Sequence, residues 1–290
     1  MPRADATGRG ASWTAEHGLA MFREPATALI RALDDVFAGW GAAAGAERMS
    51  FPPLLRADDL RTLDYFANFP HLGAPVSRIR PDRLERHTTA ATGGPVAAED
   101  LVDAHHLLPS AACYGAFLHL ADTATDAPLL ITTVAQCFRH EDHYDGLRRL
   151  WGFTMREIIC VGSAEHARDH LERHHKRLAL FTAALGLDLA RRPATDPFFQ
   201  QDGARGIMQR LAPVKEEYAH TDGTAVASMN QHRNFFGERC AIGYAGKPAY
   251  TSCVAFGLER WVHTLDEHFE GDLRAAAEAV RRAGDAGDAG

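Results

Sequence analysis

The chain has 290 residues, 46% hydrophobic and 24% charged, with 38 acidic side chains against 31 basic ones. That length can bury a sizeable core as one large domain or one domain with an extension, and the composition is ordinary for a soluble globular protein. The net charge of −7 excludes a broadly basic nucleic-acid face and leaves room only for local cationic patches. No apolar run approaches the roughly 20 residues of a membrane span. The opening MPRADATGRGASW has no apolar core of a secretory signal, so a cytoplasmic protein is expected. The five cysteines, Cys113, Cys137, Cys160, Cys240 and Cys253, include no CxxC pair. Neither disulfides nor a zinc finger are expected of them.

Residues 1–12 are small and polar and read as disordered. Thr14 to Gly45 reads as helical, with Leu19, Phe22, Leu29, Leu33 and Phe37 at helical spacing and a break at Pro25. Together these make an N-terminal extension over 1–48, ahead of a main domain over 49–284 and a flexible tail over 285–290. Phe51-Pro52-Pro53 opens a new segment, Arg56 to Phe66 is expected to be helical, and Asn68 to Gly73 is a turn. Arg83 to His87 reads as a strand, followed by a loose loop that includes Thr88 to Gly94. Ser110 is expected to cap a helix over Ala111 to Ala121, with Cys113 in its first turn.

Leu129 to Val134 reads as a buried strand, and Trp151 to Val161 returns as a second one carrying Glu157. Between them lie Arg139, Glu141, a polar turn, and the adjacent Arg148 and Arg149. This is an antiparallel hairpin with cations at its tip. Guanidinium forks match phosphate oxygens bidentately, so the tip can grip a polyphosphate. Ser163 then caps a helix over Ala164 to Leu185, closed by Gly186. His170, His174 and His175 sit on it beside Arg173, Lys176 and Arg177 and read as a solvated face. Residues 188–206 read as a loop, Val214 to Tyr218 and Ala225 to Asn230 as core strands, and Gln231 to Glu238 as a polar loop. Ala249 to Ala255 is a short strand, Gly257 opens a helix, and Arg281 to Gly290 reads as a frayed tail. Strands after position 80 with helices between them give an α+β fold with a mixed or antiparallel sheet.

Phe138-Arg139-His140-Glu141, followed by Arg149-Leu150-Trp151-Gly152-Phe153-Thr154-Met155-Arg156-Glu157, resembles motif 2 of class II aminoacyl-tRNA synthetases. Ala255-Phe256-Gly257-Leu258-Glu259-Arg260 resembles their motif 3. The resemblance implies the class II fold, an antiparallel sheet flanked by helices, in an enzyme that is usually a homodimer. By position, the segment around Phe51 to Phe66 would be its dimerisation element. It implies ATP with Mg²⁺ as cosubstrates and an aminoacyl-adenylate as product. Arg139 would be catalytic, neutralising the α-phosphate where two anions meet. Glu141 would accept a hydrogen bond from adenine, and Arg260 would be catalytic at the γ-phosphate. Arg148, Arg149 and Lys215 are further ATP-binding candidates, and Ala227, Ser228, Met229 and Asn230 are candidates for the substrate site.

A narrower resemblance covers about residues 50–268. Leu108-Pro109-Ser110-Ala111-Ala112-Cys113-Tyr114 and Met229-Asn230-Gln231-His232-Arg233-Asn234-Phe235-Phe236-Gly237 resemble the amino acid:[carrier protein] ligases. These are armless relatives of the zinc-dependent seryl-tRNA synthetases of methanogens. The resemblance implies a zinc ion held by Cys113, Glu157 and Cys253, with Glu157 also meeting the substrate. Cys137 is the alternative first ligand, and Cys160, which alternates away from Glu157, reads as core. Three protein ligands leave a fourth position open, as in catalytic zinc sites. The substrate would be glycine, alanine or serine, and the acceptor the phosphopantetheine thiol of a carrier protein. Charging of tRNA is disfavoured by the missing arm and the acidic balance. A non-catalytic paralogue is disfavoured by the retained Arg139, Glu141 and Arg260.

Overall fold

The computed structural model describes residues 12–88, 94–200, 202 and 214–287. In chain order the elements begin with β1 (Trp13–Glu16), β2 (Leu19–Phe22), α1 (Ala26–Ala43), β3 (Glu47–Arg48), β4 (Leu55–Arg56), α2 (Ala57–Thr62) and α3 (Tyr65–Asn68). Next come β5 (Ala74–Val76), β6 (His106–Leu108), α4 (Cys113–His119), β7 (Ala124–Thr125), β8 (Leu129–Phe138), β9 (Gly152–Gly162), α5 (Ala164–Leu185) and β10 (Ala190–Ala194). The last are β11 (Lys215–Ala219), β12 (Ala225–Arg233), α6 (Phe235–Arg239), β13 (Gly243–Tyr244), β14 (Lys247–Pro248), β15 (Tyr250–Gly257), α7 (Leu258–His268) and α8 (Leu273–Gly287).

The apolar, β-branched runs of β8 and β9 pair antiparallel along their whole length, with Thr133 opposite Glu157. They sit in a seven-stranded sheet of order β10-β11-β12-β15-β9-β8-β3, antiparallel throughout except for the short parallel pair β3–β8. Period-2 alternation gives this sheet two different faces. One carries Ile158, Met229, Val254 and Phe256 into a core closed by α1, α5, α7 and α8. There Phe37 of α1 stacks on Phe256 with ring centroids 3.9 Å apart, and both are fully buried. Arg156, 2% exposed, binds Asp34 of α1 through two hydrogen bonds of 2.7 and 2.8 Å. The other face carries Glu157 and Cys253 toward α4 and α6. No helix among the described residues is long and apolar enough to cross a membrane.

Several sequence expectations change here. The helix expected from Thr14 begins only at Ala26; before it, Trp13–Glu16 and Leu19–Phe22 form a hairpin. Its turn is His17-Gly18, both with positive φ, and that turn chemistry outweighs the helical spacing of the apolar residues. The helix expected over Arg56–Phe66 is two short helices, broken at Asp64 with φ 54°. Pro81–His87 is a 3₁₀ helix rather than a strand, started by Pro81. Ser110 does not cap α4; it is buried, and its carbonyl accepts from Arg139 Nε at 2.9 Å.

Ala190–Ala194, in the expected loop, is the edge strand of the main sheet, pinned by the Arg191–Glu216 pair at 2.7 and 3.0 Å. Strand β12 runs on to Arg233 and α6 follows, where a loop was expected. Helix α8 continues to Gly287 across the expected fraying because Ala276, Val280 and Ala283 pack into the core. Residues 1–11, 89–93, 201, 203–213 and 288–290 lie outside the described set, with the parts of the expected disorder, loops and tail that fall on them.

Helix α5 is capped as expected by Ser163, whose hydroxyl accepts from His166 N, and it closes at Gly186 with φ 70°. Its histidines are not solvated. His170, His174 and His175 are at most 8% exposed and face the sheet, while Arg173 and Lys176 face water. His170 Nε2 meets Ile158 O at 3.2 Å, His174 Nδ1 meets His170 O at 2.8 Å, and His175 Nδ1 meets Tyr218 Oη at 2.7 Å. Burial, with smaller repulsion from Arg177 and Arg173, lowers the His174 pKa to about 4. A base whose pKa is depressed on folding binds more protons when unfolded, so its stability contribution is lost as pH falls from 6.5 toward 4. For His174 the loss should be roughly 3 kcal/mol. Urea unfolding at stepped pH should show this decline, and His174→Leu should flatten it. An unchanged slope in the variant would contradict the assignment.

Candidate functional site

Strand alternation assembles most of the site. Opposite Glu157 on β9 stands Ala255 of β15; opposite Ala255 and Cys253 stand Ser228 and Asn230 of β12; opposite those stand Glu217 and Lys215 of β11. All of these side chains share one sheet face. Cys113, the first residue of α4, arrives from above, because α4 is held with its first amides over Glu157. Glu157 Oε1 accepts from Ala112 N at 2.9 Å and Cys113 N at 3.3 Å.

Cys113, Glu157 and Cys253 are each at most 5% exposed, and their donor atoms lie within 4.8 Å of one another. Glu157 Oε2 is buried and makes no hydrogen bond among the described residues. The bond with Cys253, burial and the Glu157 charge push the Cys113 thiol well up. The Cys253 thiol is drawn down by its bond with Cys113, but burial and Glu157 raise it overall. Burial likewise raises Glu157 against the thiol and amide bonds that lower it. Burial raises all three acids, and a dication set among them would favour their ionised forms. Two sulfurs, one oxygen with no partner, and an open cavity side are the donor set of a three-ligand zinc centre, so the residues fit the ion. Around it, Asn230 Nδ2 donates toward Cys253 Sγ at 3.5 Å, and His232 Nε2 lies 3.7 Å from the same sulfur.

Cys137 is fully buried, but its strand position is four residues from Thr133, which faces Glu157. That is about 13 Å along the strand, and Cys137 is not in the cluster. Cys160 is buried on the opposite parity.

The cluster forms the floor of a cavity of about 480 Å³ whose rim includes Phe69, Tyr114, Phe198 and Phe236. A second cavity, about 80 Å³, is lined by Glu141, Arg148, Ala227, Gly257 and Arg260. Arg139, Met155, Lys215, Ser228 and Ala255 line both. Arg139 thus stands at the junction, its guanidinium fixed by the Ser110 carbonyl and lying 5.1 Å from the Phe153 ring centroid. Arg260 donates to Arg148 O at 2.9 Å and Ala225 O at 3.1 Å. Arg149 is bound to Glu141, and Arg148 to Asp145 and, at 3.5 Å, to Asp222. Lys215 Nζ lies 3.3 Å from both Asp196 and Glu217.

Two expectations are not met by this geometry. Met229 is 1% exposed and packs in the helix-side core, because its parity is opposite to that of Ser228 and Asn230. Arg149 lines neither cavity; its charge is spent on Glu141. Reasoning from sequence passed over Glu217, Glu259 and the aromatic rim. Glu217 could have been found from its two-residue offset to Lys215. Glu259 is 5% exposed and accepts from Thr154 N at 2.8 Å with both oxygens, fixing the start of β9 to the start of α7.

This sheet, with an arginine lining two neighbouring cavities, has the fold of the class II aminoacyl-tRNA synthetases. M. kandleri SerRS, solved with A. aeolicus tRNASec, matches the fold with TM-score 0.78 and 19% identity, over 93% of this chain and 57% of that one. No protein-family model matches the chain. It is 33% identical over 254 residues to amino acid–[acyl-carrier-protein] ligase 1 of Bradyrhizobium diazoefficiens, covering 82% of this chain and 76% of that protein. It is 33% identical over 228 residues to ligase 2 of the same organism, covering 74% and 67%. The chain belongs to the amino acid–[acyl-carrier-protein] ligase family.

Proposed function

We propose that the protein activates a small amino acid with ATP and transfers it to the phosphopantetheine thiol of a carrier protein. The observation that carries this reading is Arg139 at the junction of the two cavities. Carboxylate attack on an α-phosphate brings two anions together at one point, and a fixed cation there is worth most where water is excluded. Glu141, Arg148, Lys215 and Arg260 would hold ATP and its Mg²⁺ in the smaller cavity. Ser228 and Asn230 would line the amino-acid side.

Cys113, Glu157 and Cys253 would hold zinc. Such an ion supplies an open position that can take a neutral α-amine and so orient the carboxylate. Ser110, Ala111 and Tyr114 line the same cavity beside the cluster, and steric fit there would have to exclude large side chains. This favours glycine, alanine or serine. Five unpaired, buried cysteines suit a reducing cytoplasm. A homodimer formed through the Phe51–Phe66 region belongs to the same reading, and a solution mass near that of one 31.7 kDa chain would remove it.

The test is amino-acid-dependent ATP–pyrophosphate exchange over all twenty amino acids, with and without a zinc chelator, followed by transfer to holo-carrier protein or to tRNA. Exchange with one or two small amino acids, abolished by chelation, and loading of the carrier alone are expected. Exchange with none, or loading of tRNA alone, would overturn the reading.

A further inference from the structure

A second cluster of metal-ligating side chains lies outside the zinc cavity. It is assembled from two local patterns. On α7, His263 and Glu267 stand four residues apart and share a helix face. In the turn joining β11 to β12, His220 and Asp222 stand two apart. That turn is tied by His220 N to Thr224 O at 2.9 Å and by Gly223 N to His220 O at 2.8 Å. Asp222 accepts from Thr224 N and Thr224 Oγ1, both at 2.8 Å, which holds its carboxylate toward the helix.

The two pairs converge. His263 Nε2 lies 3.0 Å from Asp222 Oδ2 and 3.7 Å from Glu267 Oε1. His220 Nδ1 lies 3.5 Å from Asp222 Oδ1 and 3.7 Å from Glu267 Oε2. One donor atom each from His220, Asp222 and Glu267 fall within 4.8 Å of one another. Neither approach to His220 has hydrogen-bond geometry: its Nδ1 is buried and makes no hydrogen bond among the described residues.

Nitrogen and oxygen donors on one ion at about 2.0–2.1 Å stand about 3.3 Å apart, near the 3.5 and 3.7 Å approaches of His220 Nδ1 to the two carboxylates, while His263 stands outside this set with its Nε2 hydrogen-bonded to Asp222 Oδ2. One imidazole with two carboxylates suits zinc and its first-row neighbours rather than magnesium or calcium, which prefer all-oxygen shells. Ligating imidazoles are neutral, and of the neighbouring cations Arg148 lies 3.5 Å from Asp222 Oδ2 while Arg192 is bonded to a backbone carbonyl of the turn, Gly223 O, at 2.9 Å.

We propose that His220, Asp222 and Glu267 form a second site for a divalent transition-metal ion, with His263 holding Asp222 in place, set against the phosphate loop through Arg148. The site is independent of the zinc reading of the first cavity. It also has a consequence for ATP. Asp222 is shared between the ion and Arg148, so occupancy draws the carboxylate toward the metal and loosens its hold on a loop arginine.

The experiment is a Co²⁺ titration of the chelator-stripped full chain, followed by absorption. Two ions per chain are expected. One gives the thiolate-to-metal charge-transfer band of Cys113 and Cys253; the other gives only the weaker d–d bands of nitrogen and oxygen ligation. Glu267 has a half-exposed side chain, so Glu267→Gln is mild. It should weaken the second phase at least about tenfold, the typical cost of losing even a supporting contact to a ligand, and His220→Ala should remove it. The charge-transfer band, unchanged in both variants, reports an intact fold. A single ion per chain carrying that band, or a second phase that both variants leave unchanged, would overturn the proposal. Loss of the charge-transfer band with the d–d phase retained would support this site while removing the zinc assignment of the first.

Discussion

Cys253→Ala should lose its metal and its amino-acid-dependent pyrophosphate exchange together, the latter by on the order of 10³-fold. Three donors meet at this point, and no fourth cysteine, histidine or carboxylate among the described residues joins them within reach. Two remaining donors, Cys113 and Glu157, make a poor zinc site. His232 lies beside the sulfur, with its Nδ1 engaged by Thr251 Oγ1 at 3.1 Å, and it is not in the converging donor group. The substitution removes one sulfur from a packed interior and leaves the ATP cavity untouched. Nucleotide binding, read by fluorescence or calorimetry, should therefore survive. Full exchange activity in a metal-free variant would end the zinc assignment.

Arg139→Ala should abolish adenylate formation, again by roughly 10³-fold, while zinc stays bound. The guanidinium is no free surface charge. Its Nε is held by a buried backbone carbonyl and its plane lies by the Phe153 ring, which aims the remaining N–H groups into the junction. Removal leaves the Ser110 carbonyl without its donor, at a cost of about 1 kcal/mol in stability. Arg139→Lys tests the fork, because it restores the charge without two parallel donors. It should recover part of the rate and little of the ATP affinity. Retained turnover in the alanine variant would remove the α-phosphate role.

The site was more readable in the sequence than the scaffold that presents it. Cys113, Glu157 and Cys253 come from three separate segments, yet zinc chemistry restricts residue type so tightly that a motif resemblance brought them together, and the geometry places them within 4.8 Å. Met229 was misplaced because four successive residues of a strand were treated as one surface, although parity sends 227 and 229 one way and 228 and 230 the other. The α5 histidines were misread because exposed Arg173 and Lys176 flank them. A buried imidazole satisfied by a backbone carbonyl carries no sequence mark. Strand β10 was missed because Arg191, Arg192 and Pro193 are edge-strand residues, and an edge has only one partner to reveal it. The first hairpin was hidden by apolar residues that fit a helix as well as a strand.

That hairpin alters how the amino-terminal stretch should be regarded. Gly18 O accepts from Trp151 N at 2.7 Å and from Gly152 N at 3.2 Å, where the loop carrying Arg148 and Arg149 rejoins its strand. The contact is so close that a Cβ on Gly18 would stand 2.7 Å from the Tyr144 ring and 2.8 Å from Trp151 N. The loop's return is therefore clamped from outside by a segment that contributes no side chain to either cavity. Trimming the chain to start at Ala26 would strand two backbone donors and release the loop. Its effect would surface as a weaker grip on nucleotide, at a distance from every residue that touches it. The turn at Gly18 is thus a point from which catalytic rate could drift or be selected while the reacting groups stay fixed.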